Sequence, residues 1–388
     1  MLALGLIVLV GAALRITWGD VTVYGTDEAE YVGTARTLSA DPTRYGALVR
    51  GFVATPARWG LPLPTRWGGV ALTTAACVVA PCTPRTLAWL ETLAGIAAIG
   101  LTYAVARALL GVMPALLAAA FTVTSPIQLG MGRRALEDEL FVVAVLLAMW
   151  ATLRLVGKGG SRGDSFLIVV AALGAYTFAF AVKETFILYY PALAALLLIA
   201  RGSRRPRLGD IAVFALAPVL YAGVLGMLTG DPLLVQMLPR IDQAVRASPY
   251  VLQYQSGPFY EPFVDVYVLA PLVTLAAFAA GAAAARRSGT TENGAGALVA
   301  FGVLLLAVYA LMPKDARYFI PADATARMLA AWCVFLFASV RRELAVATVG
   351  IALLNGMVEL PIFNAVFLRG EVYDPVLANL LHPLGMTP

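Results

Sequence analysis

The sequence is poor in the side chains that most enzymes use for ready chemistry. Its 388 residues include one histidine, His382, and three cysteines, Cys77, Cys82 and Cys333. A histidine-rich metal site and a Ser-His-Asp arrangement are thereby poorly supported. The cysteines form no CxxC pair and Cys333 falls inside an apolar run, so all three are expected to be packing residues. No GxxxxGK[ST] phosphate loop occurs. Charge is scarce too: 13% of residues are charged, and lysine appears only at positions 158, 183 and 314. Apolar residues take their place, at 60% of the chain, with a mean hydropathy of +0.82. Such a chain takes lipid as its solvent. Its net charge of +5 is therefore first a matter of membrane topology, and nucleic acid is not an expected partner.

Apolar helical spans are predicted near Leu2–Trp18, Arg85–Leu110, Met113–Thr124, Leu136–Leu155, Phe166–Val182 and Thr185–Ala200. Further spans are predicted near Ile211–Leu228, Phe263–Ala285, Ala295–Met312, Pro321–Val340 and Leu344–Val358, giving about eleven in an all-α, polytopic, single membrane domain over 1–388. Trp67–Ala80 is ambiguous, because it is short, opens on Gly68 and Gly69 and meets Pro81; it fits a re-entrant or interfacial helix. Met1–Trp18 lacks the basic start and the small-x-small cleavage site of a signal peptide, so it is expected to remain as a span.

With the N-terminus inside, the connections holding Arg154, Lys158 and Arg162, then Arg201, Arg204, Arg205 and Arg207, then Arg286 and Arg287, then Arg341 and Arg342 are all cytoplasmic. That is the arrangement the positive-inside rule favours. The first loop (19–66), a second large loop (230–262) and a C-terminal tail (359–388) then face outward. The first loop carries Arg36, Arg44, Arg50, Arg58 and Arg66 against this trend, although long loops translocate largely regardless of charge.

The residues capable of chemistry gather at that outer face. Gly25-Thr26-Asp27-Glu28-Ala29-Glu30-Tyr31 is the densest carboxylate group. Thr26 or Asp27 can N-cap an amphipathic helix through Ala29, Val32, Gly33, Ala35 and Leu38 that lies along the membrane surface. The acids alternatively do no more than favour a helix N-terminus through its dipole. At the next outer corner, Thr124-Ser125-Pro126 precedes Arg133, Arg134 and the run Glu137-Asp138-Glu139. Arg134 and Asp138 are one turn apart and can pair, while an acid entering an apolar helix calls for a wet cavity or a partner. Two further corners are cationic, Lys183-Glu184 and Lys314-Asp315-Ala316-Arg317-Tyr318. They suit either exposed ion pairs or a phosphate.

Taken in order, Asp27-Glu28, Ser125-Pro126 with Arg133 and Asp138, Lys183-Glu184 and Arg317-Tyr318 resemble the glycosyltransferase C superfamily. The similarity is greatest to the branch of protein O-mannosyltransferases and aminoarabinose transferases, and within it to bacterial glycosyltransferase-39-like proteins. Ser256-Gly257-Pro258-Phe259-Tyr260 through Asp265 to Ala270-Pro271, and Val372-Tyr373-Asp374-Pro375, resemble the last outer loop and C-terminal segment of that branch. The resemblance implies an inverting transferase of a bacterial-type inner (plasma) membrane with an extracytoplasmic site. It would move a hexosyl or pentosyl unit from a polyprenyl-phosphate donor to a hydroxyl of a protein, lipid or glycan. Asp27 matches the position of the catalytic base, with Glu28 orienting the acceptor or sharing a proton. Arg133, Arg134, Asp138, Lys183, Glu184, Lys314, Arg317 and Tyr318 are substrate-binding candidates. A divalent cation is left open, with Asp27, Glu28 and Asp138 as its candidate ligands. The chain departs from the pattern in being short, in lacking a large soluble domain after the membrane part and in having no histidine in the motifs.

Two other classes compete. A transporter or flippase of lipid-linked sugars should carry its charges near the midplane and often shows an internal repeat; neither is seen here. A catalytically silent member that binds polyprenyl lipids as an assembly partner is a third reading that the sequence leaves open.

Overall fold

The computed structural model of the chain describes residues 2–17, 25–157, 162–202, 205–232, 234–286, 293–336, 341–372 and 374–386. Among these, every regular element is helical. Of the residues considered above, Trp18, Gly19, Asp20, Lys158, Arg204, Arg287, Val340 and Tyr373 lie outside the described residues, as do the side chains of Arg162, Arg341 and Arg342.

The chain begins with α1 (Leu2–Thr17), followed by α2 (Thr26–Ala40), α3 (Tyr45–Val53) and α4 (Trp67–Val79). A helical hairpin follows, formed by α5 (Pro84–Leu110) and α6 (Val112–Val123). Thr83 caps α5 with Pro84 in its first turn, where the missing proline N–H costs no hydrogen bond. Gly111, at φ +92°, makes the turn between α5 and α6, a conformation glycine adopts without a Cβ penalty. Next come α7 (Pro126–Met131), α8 (Asp138–Val156), α9 (Arg162–Val182), α10 (Tyr190–Arg201) and α11 (Leu208–Thr229). The second large loop holds the short helices α12 (Leu238–Arg246) and α13 (Pro249–Tyr254). The chain then continues through α14 (Glu261–Leu269), α15 (Pro271–Arg286), α16 (Asn293–Ala310), α17 (Ile320–Leu336), α18 (Arg341–Phe363) and α19 (Leu377–Leu381).

Six described helices are long and apolar enough to cross a membrane, and six shorter apolar helices accompany them. The protein is thus a multi-pass membrane protein. Its large apolar side chains point outward, as at Met227, 78% exposed, and Met357, 74% exposed, which is the surface a lipid solvent demands. Helices approach closely through small buried residues such as Ala98, Ala106, Ala115 and Ala118. The core pairs α5 with α6 and α8, α9 with α11, α10 with α16, and α17 with α6 and α15.

Several expectations change. The span expected at Phe263–Ala285 is two helices, because Pro271 offers no N–H and Ala270 takes an extended φ of −143°. The helix expected to end at Val358 continues through Glu359: α18 runs on to Phe363 and passes into a π-helical turn that ends at Arg369. Glu359 is fully buried, within 2.9 Å of Arg327, which also meets Asp323 at 2.8 Å. Ser125 and Gln128 donate to Asp323, while Thr124 and Asn355 donate to Glu359. This network fastens α17 and α18 to the junction of α6 and α7. The apolar face of α2 is covered by α4 rather than lying on lipid. Its N-cap is Gly25, whose N–H donates to Glu28 at 3.2 Å, rather than Thr26 or Asp27. Cys77 and Cys82, expected as packing residues, are joined in a disulfide across a sequence separation of 5, wider than a CxxC pair, and the turn at Pro81 lies between them. Cys333 is buried and free.

Candidate functional site

At the end of the bundle where α2, α8 and the turn before α17 meet, a cavity of about 110 Å³ is lined by residues from widely separated parts of the chain. Asp27 and Tyr31 come from α2, and Trp59 and Arg66 from the loop before α4. Glu137 and Asp138 come from the start of α8, Lys183 from the end of α9, and Arg317 and Tyr318 from the turn before α17.

The charges around it are arranged as linked pairs. Arg317 Nη1 lies 3.0 Å from Asp27 Oδ2, and its Nε lies 2.9 Å from Asp315. Asp315 is held by Gln255 at 3.1 Å. Lys183 Nζ donates to Asp138 Oδ1 at 3.0 Å. The ammonium also lies 5.4 Å from the Phe141 ring centroid and 5.2 Å from that of Tyr318, near enough for cation–π attraction. Arg66 forks onto both oxygens of Glu184 at 2.9 and 3.0 Å and donates to the Tyr31 hydroxyl at 2.9 Å. Such a bidentate pair fixes the plane of the guanidinium.

Glu137, just before α8, is buried against this cavity, with Arg66 4.0 Å away. Burial pushes its carboxyl up to about 8, with Arg66 and Lys183 opposing the shift. Burial, reinforced by Glu137, likewise raises the Tyr31 hydroxyl. Gly69 leaves room for it, since a Cβ there would come within 2.2 Å of the Glu137 carboxylate as it is placed.

The structure thus brings Asp27, Asp138, Lys183, Arg317 and Tyr318 to one cavity and leaves other candidates outside its lining. Glu28 is fully buried and meets Arg134 at 2.5 and 2.8 Å. Arg134 and Asp138, which one helical turn could have paired, meet Glu28 and Lys183 respectively, because α8 begins only at Asp138 and residues 132–137 are irregular. Arg133 packs over Phe363, 6.0 Å from its centroid. Lys314 donates to the carbonyls of Ala310 and Met312 at 2.7 and 2.8 Å, closing the end of α16. Glu184 acts on the cavity through Arg66. Arg66 and Glu137 were not singled out from the sequence as site residues; the only signal they offered was an arginine ending a long loop and an acid preceding Asp138.

Asp27, Glu28 and Asp138 do not converge as metal ligands, since each holds a different cationic side chain. Among the described residues no group of three or more His, Cys, Asp or Glu is placed to hold a metal ion. As placed, these three carboxylates do not form one donor set.

Residues 72–228 match the family model for dolichyl-phosphate-mannose-protein mannosyltransferase. No curated protein matches the chain by sequence. Among solved structures, the chain is similar to apo ArnT from Cupriavidus metallidurans: 15% identity, TM-score 0.59, covering 98% of this chain and 70% of that one. It matches ArnT bound to undecaprenyl phosphate over the same shares, with a TM-score of 0.58 and 15% identity. It is also similar to the Archaeoglobus fulgidus oligosaccharyltransferase tethered with an acceptor peptide: 16% identity and TM-score 0.58, over 92% of this chain and 53% of that one. The chain therefore has the glycosyltransferase C fold that its ordered motifs resemble, and its sequence between residues 72 and 228 matches a family of that superfamily.

Proposed function

We propose that this protein is an inverting glycosyltransferase that moves a sugar from a polyprenyl phosphate to an acceptor hydroxyl at the extracytoplasmic face of a plasma membrane. The observation that carries this reading is one cavity holding a carboxylate, Asp27, together with the cations Arg66, Lys183 and Arg317. An acceptor hydroxyl needs a general base as its oxygen attacks the anomeric carbon, and Asp27 takes that proton. The bond from the anomeric carbon to the phosphate oxygen breaks as the new one forms, and its electron pair leaves with the polyprenyl phosphate. A phosphate leaving group needs preorganised positive charge rather than a proton donor. Lys183 and Arg317 supply that charge, with Arg66 behind them. Asp138 positions Lys183, and Glu184 with Tyr31 positions Arg66.

An apolar groove of about 390 Å³ between α14, α15, α16 and α17, lined by Phe263, Phe278, Val303, Leu306 and Ala326, offers a path for the donor's hydrocarbon chain. Its wall is α17, whose preceding turn carries Arg317 into the cavity. The undecaprenyl phosphate bound by ArnT and the acceptor peptide tethered to the archaeal oligosaccharyltransferase support a lipid donor and a separate acceptor.

The test is transfer of radiolabelled sugar from polyprenyl-phosphate donors to endogenous acceptors in proteoliposomes made with membrane extract, with donor movement across the bilayer measured in parallel. Transfer that depends on the protein and on Asp27 supports the enzyme. Donor movement without transfer makes it a flippase, and donor binding with neither makes it a silent lipid-binding partner.

A further inference from the structure

A cleft of about 660 Å³ lies away from the candidate active site. It opens between α5, α8 and α9 and is lined by Tyr103, Arg107, Trp150, Leu153, Arg154 and Ile168, among others. The two long helices fix its depth. Near the site end, the Glu91 carboxylate of α5 accepts the N–H groups of Glu139 and Leu140 in the first turn of α8. Arg107 lies 16 residues beyond Glu91, and Arg154 lies 16 residues beyond Asp138. At 1.5 Å per residue, both arginines stand about 24 Å along the helix axes from the site end. The cleft therefore sits at the opposite membrane boundary.

Its chemistry is that of a headgroup site. Two guanidiniums on adjacent helices face one opening, and neither has an ion-pair partner among the described residues. The Arg154 guanidinium lies 5.4 Å from the Trp150 ring centroid, which orients the fork while leaving its N–H groups to bond elsewhere. Tyr103 and Trp150 are the amphipathic rings that collect at the headgroup level of a bilayer. Leu153, Ile168 and Ala104 supply an apolar wall below them, and the cleft volume is within the range of ligand pockets.

We infer that this cleft binds the phosphate headgroup of an anionic membrane lipid, held by Arg107 and Arg154, in the leaflet opposite the candidate active site. Phosphate accepts paired guanidinium N–H bonds, and basic pockets between membrane helices are suited to such headgroups. The inference does not depend on the proposed transfer reaction. Its ligand chemistry can come from a phospholipid or from a polyprenyl phosphate.

The experiment reconstitutes the full chain in nanodiscs containing brominated phosphatidylglycerol or brominated phosphatidylcholine at equal mole fraction and measures tryptophan quenching. The Trp150 contribution is the difference from Trp150→Phe. Expected is severalfold stronger quenching by the glycerol lipid, falling to the choline level in Arg107→Gln/Arg154→Gln, whose mutated side chains are exposed and which gives up the Arg154 contact with the Trp150 ring. Unlabelled undecaprenyl phosphate that competes at lower mole fraction than unlabelled phosphatidylglycerol assigns the cleft to the polyprenyl lipid; the reverse order assigns it to the phospholipid. Equal quenching by both brominated lipids, or a preference unchanged in the double variant, overturns the site.

Discussion

Asp27 and Glu28 are neighbours in sequence, yet the structure gives them opposite tasks, and exchanging each for its amide separates the two. The Asp27 side chain is 23% exposed and 3.0 Å from Arg317. Asn at this position keeps an oxygen for Arg317 and loses only the charge and basicity. A positioned general base contributes about 10²- to 10⁴-fold, which is about 3–5 kcal/mol of barrier at about 1.4 kcal/mol per tenfold. Asp27→Asn should therefore cut sugar transfer by at least about 100-fold while donor affinity and thermal midpoint stay near wild type. Glu28 instead gives both the Gly25 N–H and the Arg134 guanidinium their acceptor inside the protein. Glu28→Gln removes the counter-charge of a buried arginine, a loss that costs about 3–5 kcal/mol, so its main effect should be a lowered midpoint in thermal unfolding. The assay is single-turnover transfer with radiolabelled donor, read beside donor binding and thermal unfolding of both variants. Near-normal turnover in Asp27→Asn would refute the base assignment, and loss of donor binding there would move Asp27 to substrate positioning.

Lys183→Met and Arg317→Gln should each weaken donor binding about ten- to hundredfold, the value of a charged hydrogen bond; unchanged affinity in both would locate the phosphate elsewhere. With burial pushing the Glu137 carboxyl up to about 8, it should be largely neutral below that pH and add a negative charge to the cavity above it. Donor affinity should fall as pH rises through about 8, and Glu137→Gln should flatten that limb; a limb of the same size in the variant would assign it to another group. Gly69→Ala should drive a Cβ into the Glu137 carboxylate and lower turnover, whereas wild-type turnover would show that the Glu137 side chain moves freely. For topology, Pro258→Cys should react with an impermeant thiol reagent in intact cells and Arg205→Cys should not, against a background in which Cys333 is buried and Cys77 is paired with Cys82; the reverse labelling would invert the orientation.

Composition and the spacing of apolar runs were enough to show a multi-pass helical membrane protein, because each span satisfies its own backbone and is therefore written locally. The ordered corner motifs were enough to indicate the fold, and Asp27, Lys183 and Arg317 could be singled out because few charges survive in such a chain. What each charge faces was not legible. Consecutive helical residues point about 100° apart, so the packing of α2 against α4 turns Asp27 into the cavity and Glu28 into Arg134. Arg66 reaches Glu184 across 118 residues, and Lys183 chooses Asp138 over its own neighbour Glu184; no local pattern encodes either pair. Lys314 resembled a phosphate ligand in sequence, but the end of α16 leaves carbonyls that need a donor, and its ammonium is taken up there. The sequence by itself determined the solvent, the helices and the kinds of charge available, whereas the tertiary structure alone decided which acid and which cations share one cavity, because those distances are set by helix packing between segments remote in the chain.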